Sequence, residues 1–110
     1  MNEVIRQLHE RRSVRAFTPE PVEAEEERAI IEAACQAPTA GNEQLYDIIV
    51  VRSQEKKEEL ARTCDGQPFI ARAPLVLVFC ADLRRWWRAF GLAGAEPRLP
   101  GVGDLMLAME

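Results

Sequence analysis

Tyr46-Asp47-Ile48-Ile49-Val50-Val51 is the stretch on which the fold turns. Four consecutive β-branched residues, Ile48 to Val51, favour an extended chain, and an unbroken apolar run suggests a central strand covered on both faces. The run Leu75-Val76-Leu77-Val78-Phe79-Cys80-Ala81 reads as a second buried strand. Between the two, Ser53 is a candidate cap for a short helix reaching Cys64, with Leu60 and Ala61 inward and Glu55, Lys56, Lys57, Glu58 and Glu59 solvated. Asp65-Gly66 breaks that helix. Strand, helix and strand in this order suggest, by themselves, a parallel pair joined by a right-handed crossover.

Working outward, residues 3 to 12 have the spacing of an amphipathic helix, with Val4, Ile5 and Leu8 on one face, and it should end near Ser13. Val14 to Phe17 reads as extended, and Pro19 and Pro21 break any helix. A second helix is expected over 22–37, with Glu23, Glu25, Glu26 and Glu27 at the positive end of its dipole and an alanine-rich inner face. Pro38 to Asn42 reads as a loop. After Asp82, the scattered residues Gly91, Gly94, Pro97, Pro100, Gly101 and Gly103 suggest a mobile segment, followed by helix from Asp104. That last helix is apolar and reaches Glu110 after barely two turns, so residues 1–110 are expected to be the N-terminal part of a longer domain, cut after Glu110.

At 110 residues the chain can bury one modest core, and with 47% hydrophobic and 29% charged residues it matches globular averages. Fourteen basic against eighteen acidic residues give a net charge of −4, which leaves no overall footprint for nucleic acid. The longest apolar run, Ala73 to Ala81, is far short of the roughly 20 residues of a membrane helix. The residues after Met1 mix charges where a signal core would lie, so the cytoplasm is expected. Cys35, Cys64 and Cys80 are too far apart for a disulfide framework or a zinc site, and are expected to be reduced and mostly buried. His9 has no obvious partner.

Three segments could carry chemistry. Arg11-Arg12-Ser13-Val14-Arg15 places three guanidiniums and a hydroxyl within five residues. In an extended stretch, Arg11, Ser13 and Arg15 would project to one side, which suits a phosphate. A solvated basic helix end is the bland alternative. Asn42 and Gln44 bring amide groups beside Gly41, as would suit the edge of a flat heterocycle or an ordinary turn, and Gln67 is a third such amide. Trp86-Trp87, among Arg84, Arg85, Arg88 and Phe90, would either stack on a planar ligand or cap the fold with one indole buried.

In order, Arg11-Arg12-Ser13-Val14-Arg15-Ala16-Phe17, Pro19-Glu20-Pro21-Val22, Ala37-Pro38-Thr39-Ala40-Gly41-Asn42-Glu43-Gln44 and Asp47 to Val51 resemble the N-terminal half of the FMN-dependent nitroreductase family. Gln67-Pro68-Phe69-Ile70, Ala73 to Asp82 and Gly103-Asp104 continue the resemblance. It implies an α+β fold, a three-layer α/β/α arrangement with a mainly antiparallel sheet, and on this point we follow it against the crossover expectation. It also implies FMN as cofactor, with Arg11, Ser13 and Arg15 on the phosphate and ribityl chain and Arg12 beside them. Pro38, Thr39, Asn42 and Gln44 would reach the isoalloxazine edge across a homodimer interface, and Gln67 would meet the pyrimidine side. Leu45-Tyr46 stands where many members have Pro-Trp. The Trp86-Trp87 region would cover the flavin and vary with substrate. The implied activity is electron transfer from NAD(P)H through the flavin to a nitroaromatic, quinone or similar small acceptor, with no catalytic side chain and no metal. A non-catalytic FMN- or nucleotide-phosphate-binding module is the alternative.

Overall fold

The computed structural model describes residues 2–109; Met1 and Glu110, and with them the expected cut after Glu110, lie outside the described residues. The chain is α+β and forms two compact units, 1–21 with 53–74 and 22–52 with 75–110.

The first unit holds α1 (Glu3–Glu10), α3 (Gln54–Thr63) and α4 (Pro68–Arg72). Asn2 caps α1 by accepting from the Ile5 amide at 3.0 Å, and Arg6 ties Glu3 to Glu10 along its outer face. The helix is shorter than the 3–12 expected. Arg11 leaves helical geometry (φ −57°, ψ 134°), and residues 11–21 then run without a ladder or a helix. Ser53 caps α3 as anticipated, its hydroxyl accepting from the Lys56 amide. Lys57 corrects the sequence reading: it is buried, not solvated, and its ammonium donates to the carbonyls of Ala73 and Pro74 at 2.9 and 3.3 Å. The turn after α3 uses left-handed backbone at Asp65 (φ 61°) and Gly66 (φ 62°). Pro68 then opens α4, an element the sequence reading did not assign, because at the first helical position a missing N–H costs nothing.

The second unit holds α2 (Ala24–Ala34), β1 (Tyr46–Val50), β2 (Leu77–Ala81), α5 (Arg84–Leu92) and α6 (Val102–Met109). Glu23 and Glu26 form a reciprocal capping box on α2, which frays into single turns over 35–37, short of the 22–37 expected. Strands β1 and β2 pair antiparallel, with Tyr46 opposite Ala81 and Val50 opposite Leu77. The antiparallel arrangement is the one the resemblance implied; the crossover expectation fails because strand order says nothing of direction once other elements intervene. Neither strand is covered on both faces, since Ile49 is 51% and Phe79 60% exposed. Two further corrections concern this unit. α5 occupies part of the stretch read as irregular, started by Asp82, whose carboxylate accepts from the amides of Arg84 and Arg85 at 2.9 and 3.3 Å. α6 begins two residues before Asp104 and packs on β2. Among the described residues, no helix is long and apolar enough to cross a membrane.

Candidate functional site

The sequence-predicted residues fall into two groups, one in each unit. In the first unit, Arg11, Arg12, Ser13 and Arg15 lie on the irregular exposed segment that follows α1. Among the described residues, no carboxylate pairs with the guanidiniums of Arg11, Arg12 or Arg15, whereas Arg6, Arg28, Arg52, Arg85 and Arg98 each hold one. Among the described residues Arg62, Arg72, Arg84 and Arg88 also hold no carboxylate within ion-pair distance, but the sequence has no other stretch with three such cations within five residues. Arg15 is anchored sideways: its guanidinium carbon lies 5.8 Å from the centre of the Phe69 ring. A cation held over an aromatic face keeps its N–H edge available for an anion.

Phe69 belongs to α4, and Gln67 is the residue that caps that helix, so the contact brings the basic segment to the element bearing Gln67. The Gln67 amide N–H donates to Ala61 O at 2.7 Å and its side-chain Nε2 to Cys64 O at 2.9 Å. Its side-chain oxygen has no donor among the described residues and remains free to accept. Phe69 was not among the sequence-predicted candidates; a ring two positions after the candidate amide of Gln67 was the available signal.

In the second unit, the loop from Pro38 to Gln44 contains a 3₁₀ turn, Ala40–Asn42. Gly41, Asn42 and Gln44 all have left-handed backbone, with φ of 58°, 54° and 52°. Glycine adopts this at little cost; asparagine and especially glutamine need support. That support is visible. The Gln44 amide donates to Thr39 Oγ1 at 3.1 Å, Gln44 Nε2 donates to Asn42 Oδ1 at 3.2 Å, and the Tyr46 amide returns to Gln44 O at 2.8 Å. Thr39, Asn42 and Gln44 are therefore brought together, leaving Asn42 Nδ2 as donor and Gln44 Oε1 as acceptor. Pro38 and Thr39 also line an apolar cavity of about 330 Å³ with Tyr46, Phe79 and Leu107.

Trp86 joins this group through a bond the sequence did not foretell, its indole N–H donating to Glu43 O at 2.6 Å. Its ring lies 5.8 Å from that of Phe90, and with Trp87, Leu45 and Pro97 they wall an open cleft of about 390 Å³. Neither indole is buried, contrary to the capping alternative. Arg98 and Asp104 stand at the same cleft, joined by two 2.7 Å contacts. That pairing and the Gly101 amide hold the Asp104 carboxyl down at about 2, from its ordinary 3.8.

Cys35 and Cys64 are exposed and Cys80 half-buried, so the expectation of mostly buried thiols fails; all three are free. Among the described residues, no cluster could hold a metal.

Comparison with known proteins places this arrangement in context. A model of the nitroreductase family matches residues 8–97. The chain is 45% identical over 85 residues to the FMN reductase [NAD(P)H] of Bacillus subtilis, covering 77% of this chain and 34% of that protein. It is 36% identical over 107 residues to the oxygen-insensitive NADPH nitroreductase of Salmonella typhimurium, covering 94% of this chain and 45% of that one. Among solved structures, NfrA2 of B. megaterium superposes with a TM-score of 0.92 at 37% identity over 98% of this chain and 44% of that chain. The chain thus spans between a third and a half of the length of the relatives it matches.

Proposed function

Because the chain belongs to the nitroreductase family, we propose that residues 1–110 are the N-terminal, FMN-binding part of a single oxidoreductase domain. NAD(P)H would be its reductant and a nitroaromatic, quinone or similar small molecule its acceptor. The observation that carries this reading is the unspent charge of Arg11, Arg12 and Arg15 on an acidic chain. Three guanidiniums with no carboxylate beside them repel one another, and a phosphate dianion relieves that repulsion.

The residues present fit FMN by donor and acceptor. Arg11, Ser13 and Arg15 would bind the phosphate, with Arg12 supplying a backbone contact, and Arg15 is already oriented by Phe69. A flavin's pyrimidine edge needs donors for two carbonyls and an acceptor for one N–H. Among the described residues Gln67 Oε1 is a free acceptor for the pyrimidine side; Asn42 Nδ2, a free donor, and Gln44 Oε1, a free acceptor, would reach the ring edge of the partner protomer's flavin across the homodimer interface. Pro38 and Thr39 would shape the loop that presents them. When bound, FMN supplies the redox chemistry, accepting hydride from the nicotinamide and passing electrons on. This chain's part is to bind, orient and polarise, and none of its side chains is assigned a proton transfer.

A homodimer with the cofactor at its interface and a cytoplasmic location complete the proposal. Exposed apolar residues on the strands support the first, and nicotinamide dependence with three free thiols supports the second. The test is optical. The full-length protein should take up FMN, show flavin absorbance bands and bleach when NAD(P)H is added without oxygen. A protein that remains colourless in excess FMN overturns the reading; one that binds FMN without bleaching supports the non-catalytic module instead.

A further inference from the structure

We propose that Trp86 is a positioning residue for the loop that carries Asn42 and Gln44. The Glu43 carbonyl accepts the Trp86 indole N–H at 2.6 Å across 43 residues of sequence. That carbonyl belongs to the peptide plane leading into Gln44, and because the peptide is planar, fixing the direction of its oxygen constrains φ of Gln44. Gln44 sits at φ 52° and Asn42 at φ 54°, a conformation that residues with a Cβ hold only where their surroundings over-determine it. Of the other supports, those from Thr39 and Asn42 lie within the loop and would move with it, and that from Tyr46 comes from the first residue of β1 and meets Gln44 O on the far side of the residue. The indole bond alone among these ties the peptide leading into Gln44 to a distant element, a helix whose start is capped by Asp82. Trp86 is only 39% exposed and stands against Phe90, so the donor is itself held in place.

The loop's orientation is thereby tied to the seating of α5. A phenylalanine would preserve most of the ring packing and lose the tether. The functional consequence rests on the reading of Asn42 and Gln44 as flavin-facing groups, whereas the geometry does not.

The experiment is amide hydrogen exchange on the full-length protein without flavin, comparing wild type with Trp86→Phe and Phe90→Leu. In Trp86→Phe, exchange of the Gln44 amide should accelerate about tenfold or more, while that of Val51, which donates to Val76 O just beyond the end of the strand pair, stays unchanged. Phe90→Leu disturbs the same packing but keeps the indole N–H, and should leave Gln44 protected. Unchanged exchange at Gln44 in Trp86→Phe overturns the proposal, as does equal acceleration in Phe90→Leu, which would make the effect one of packing alone. A parallel FMN titration separates the two readings: both Trp86→Phe and Gln44→Ala should weaken binding about tenfold. Faster exchange in Trp86→Phe with undiminished FMN affinity in Gln44→Ala would uphold the tether and remove the loop from the flavin site.

Discussion

The ammonium of Lys57, buried on α3, lies 2.9 Å from the carbonyl oxygen of Ala73. With Pro74 O as second acceptor, one side chain satisfies two carbonyls just past the end of α4, where no strand has yet begun. It therefore fixes the distance between α3 and the segment following the helix that Gln67 caps. A hydrogen bond from a charged donor contributes more than a neutral one because the full charge strengthens it, and removing the donor also leaves its carbonyl acceptors unpaired. Lys57→Met, similar in volume, should lower unfolding free energy by roughly 1.5–3 kcal/mol in a urea titration. A loss within error of zero would show that Ala73 and Pro74 readily find other donors.

The contrast between Arg15 and Arg6 tests the phosphate assignment. Arg6 is spent on Glu3 and Glu10, whereas Arg15 lies over the Phe69 ring and pairs with no carboxylate among the described residues. Removing Arg15 should cost FMN binding about 1.5–3 kcal/mol, or roughly ten- to a hundred-fold in affinity. Arg6→Ala removes the same unit of charge and should leave affinity nearly unchanged. A flavin titration giving equal losses for the two variants would reduce the basic segment to a nonspecific field.

The sequence made some of this legible and hid the rest for physical reasons. β1 could be read from Ile48 to Val51 because β-branching is a local property, and the Ser53 cap because capping depends on neighbours in sequence. α5 is hidden by Gly91, which reads as part of an irregular segment although glycine inside a helix is merely unfavourable, and α4 is too short at five residues to show a helical period. Lys57 could not be recognised as buried, since its acceptors lie 16 and 17 residues away. Of the candidate site, residue types and order were visible. Their support was not: the Phe69 ring beneath Arg15 and the indole bond to Glu43 exist only once the chain has folded.

Asp104 gives a prediction in pH. Its carboxylate accepts from Arg98 and from the Gly101 amide at 2.7 Å, and these bonds hold its folded value at about 2, below the ordinary 3.8. A depressed folded value means that its contribution to stability is fully present above about pH 4 and is lost as pH falls toward 2. NMR titration of the carboxyl carbon should show a midpoint near 2 for Asp104. Arg98→Gln removes the larger of the two causes, so the midpoint should move back toward 3.8. A midpoint near 3.8 in the unaltered protein would mean that the Arg98 pair does not persist in solution.

Exposed apolar surface gives the last prediction. Leu45, Ala61 and Ala73 are the buried hydrophobic residues among those described, while Val4 and Leu8 of α1 are both 65% exposed and Phe79 of β2 60%. A two-stranded sheet is marginal in water without further strands or a covering helix, and a free strand edge invites pairing. Large apolar faces left in contact with water favour association, because each buried Å² contributes about 25 cal/mol. The 110-residue chain studied alone should therefore bind a hydrophobic dye and sediment as a concentration-dependent mixture. Phe79→Thr puts a strand-favouring β-branched residue in place of the exposed ring, and should shift that mixture toward monomer. Sedimentation velocity decides the matter: a monomer at all concentrations, with no dye binding, would show that these faces are tolerated in water and that the chain needs no cover for them.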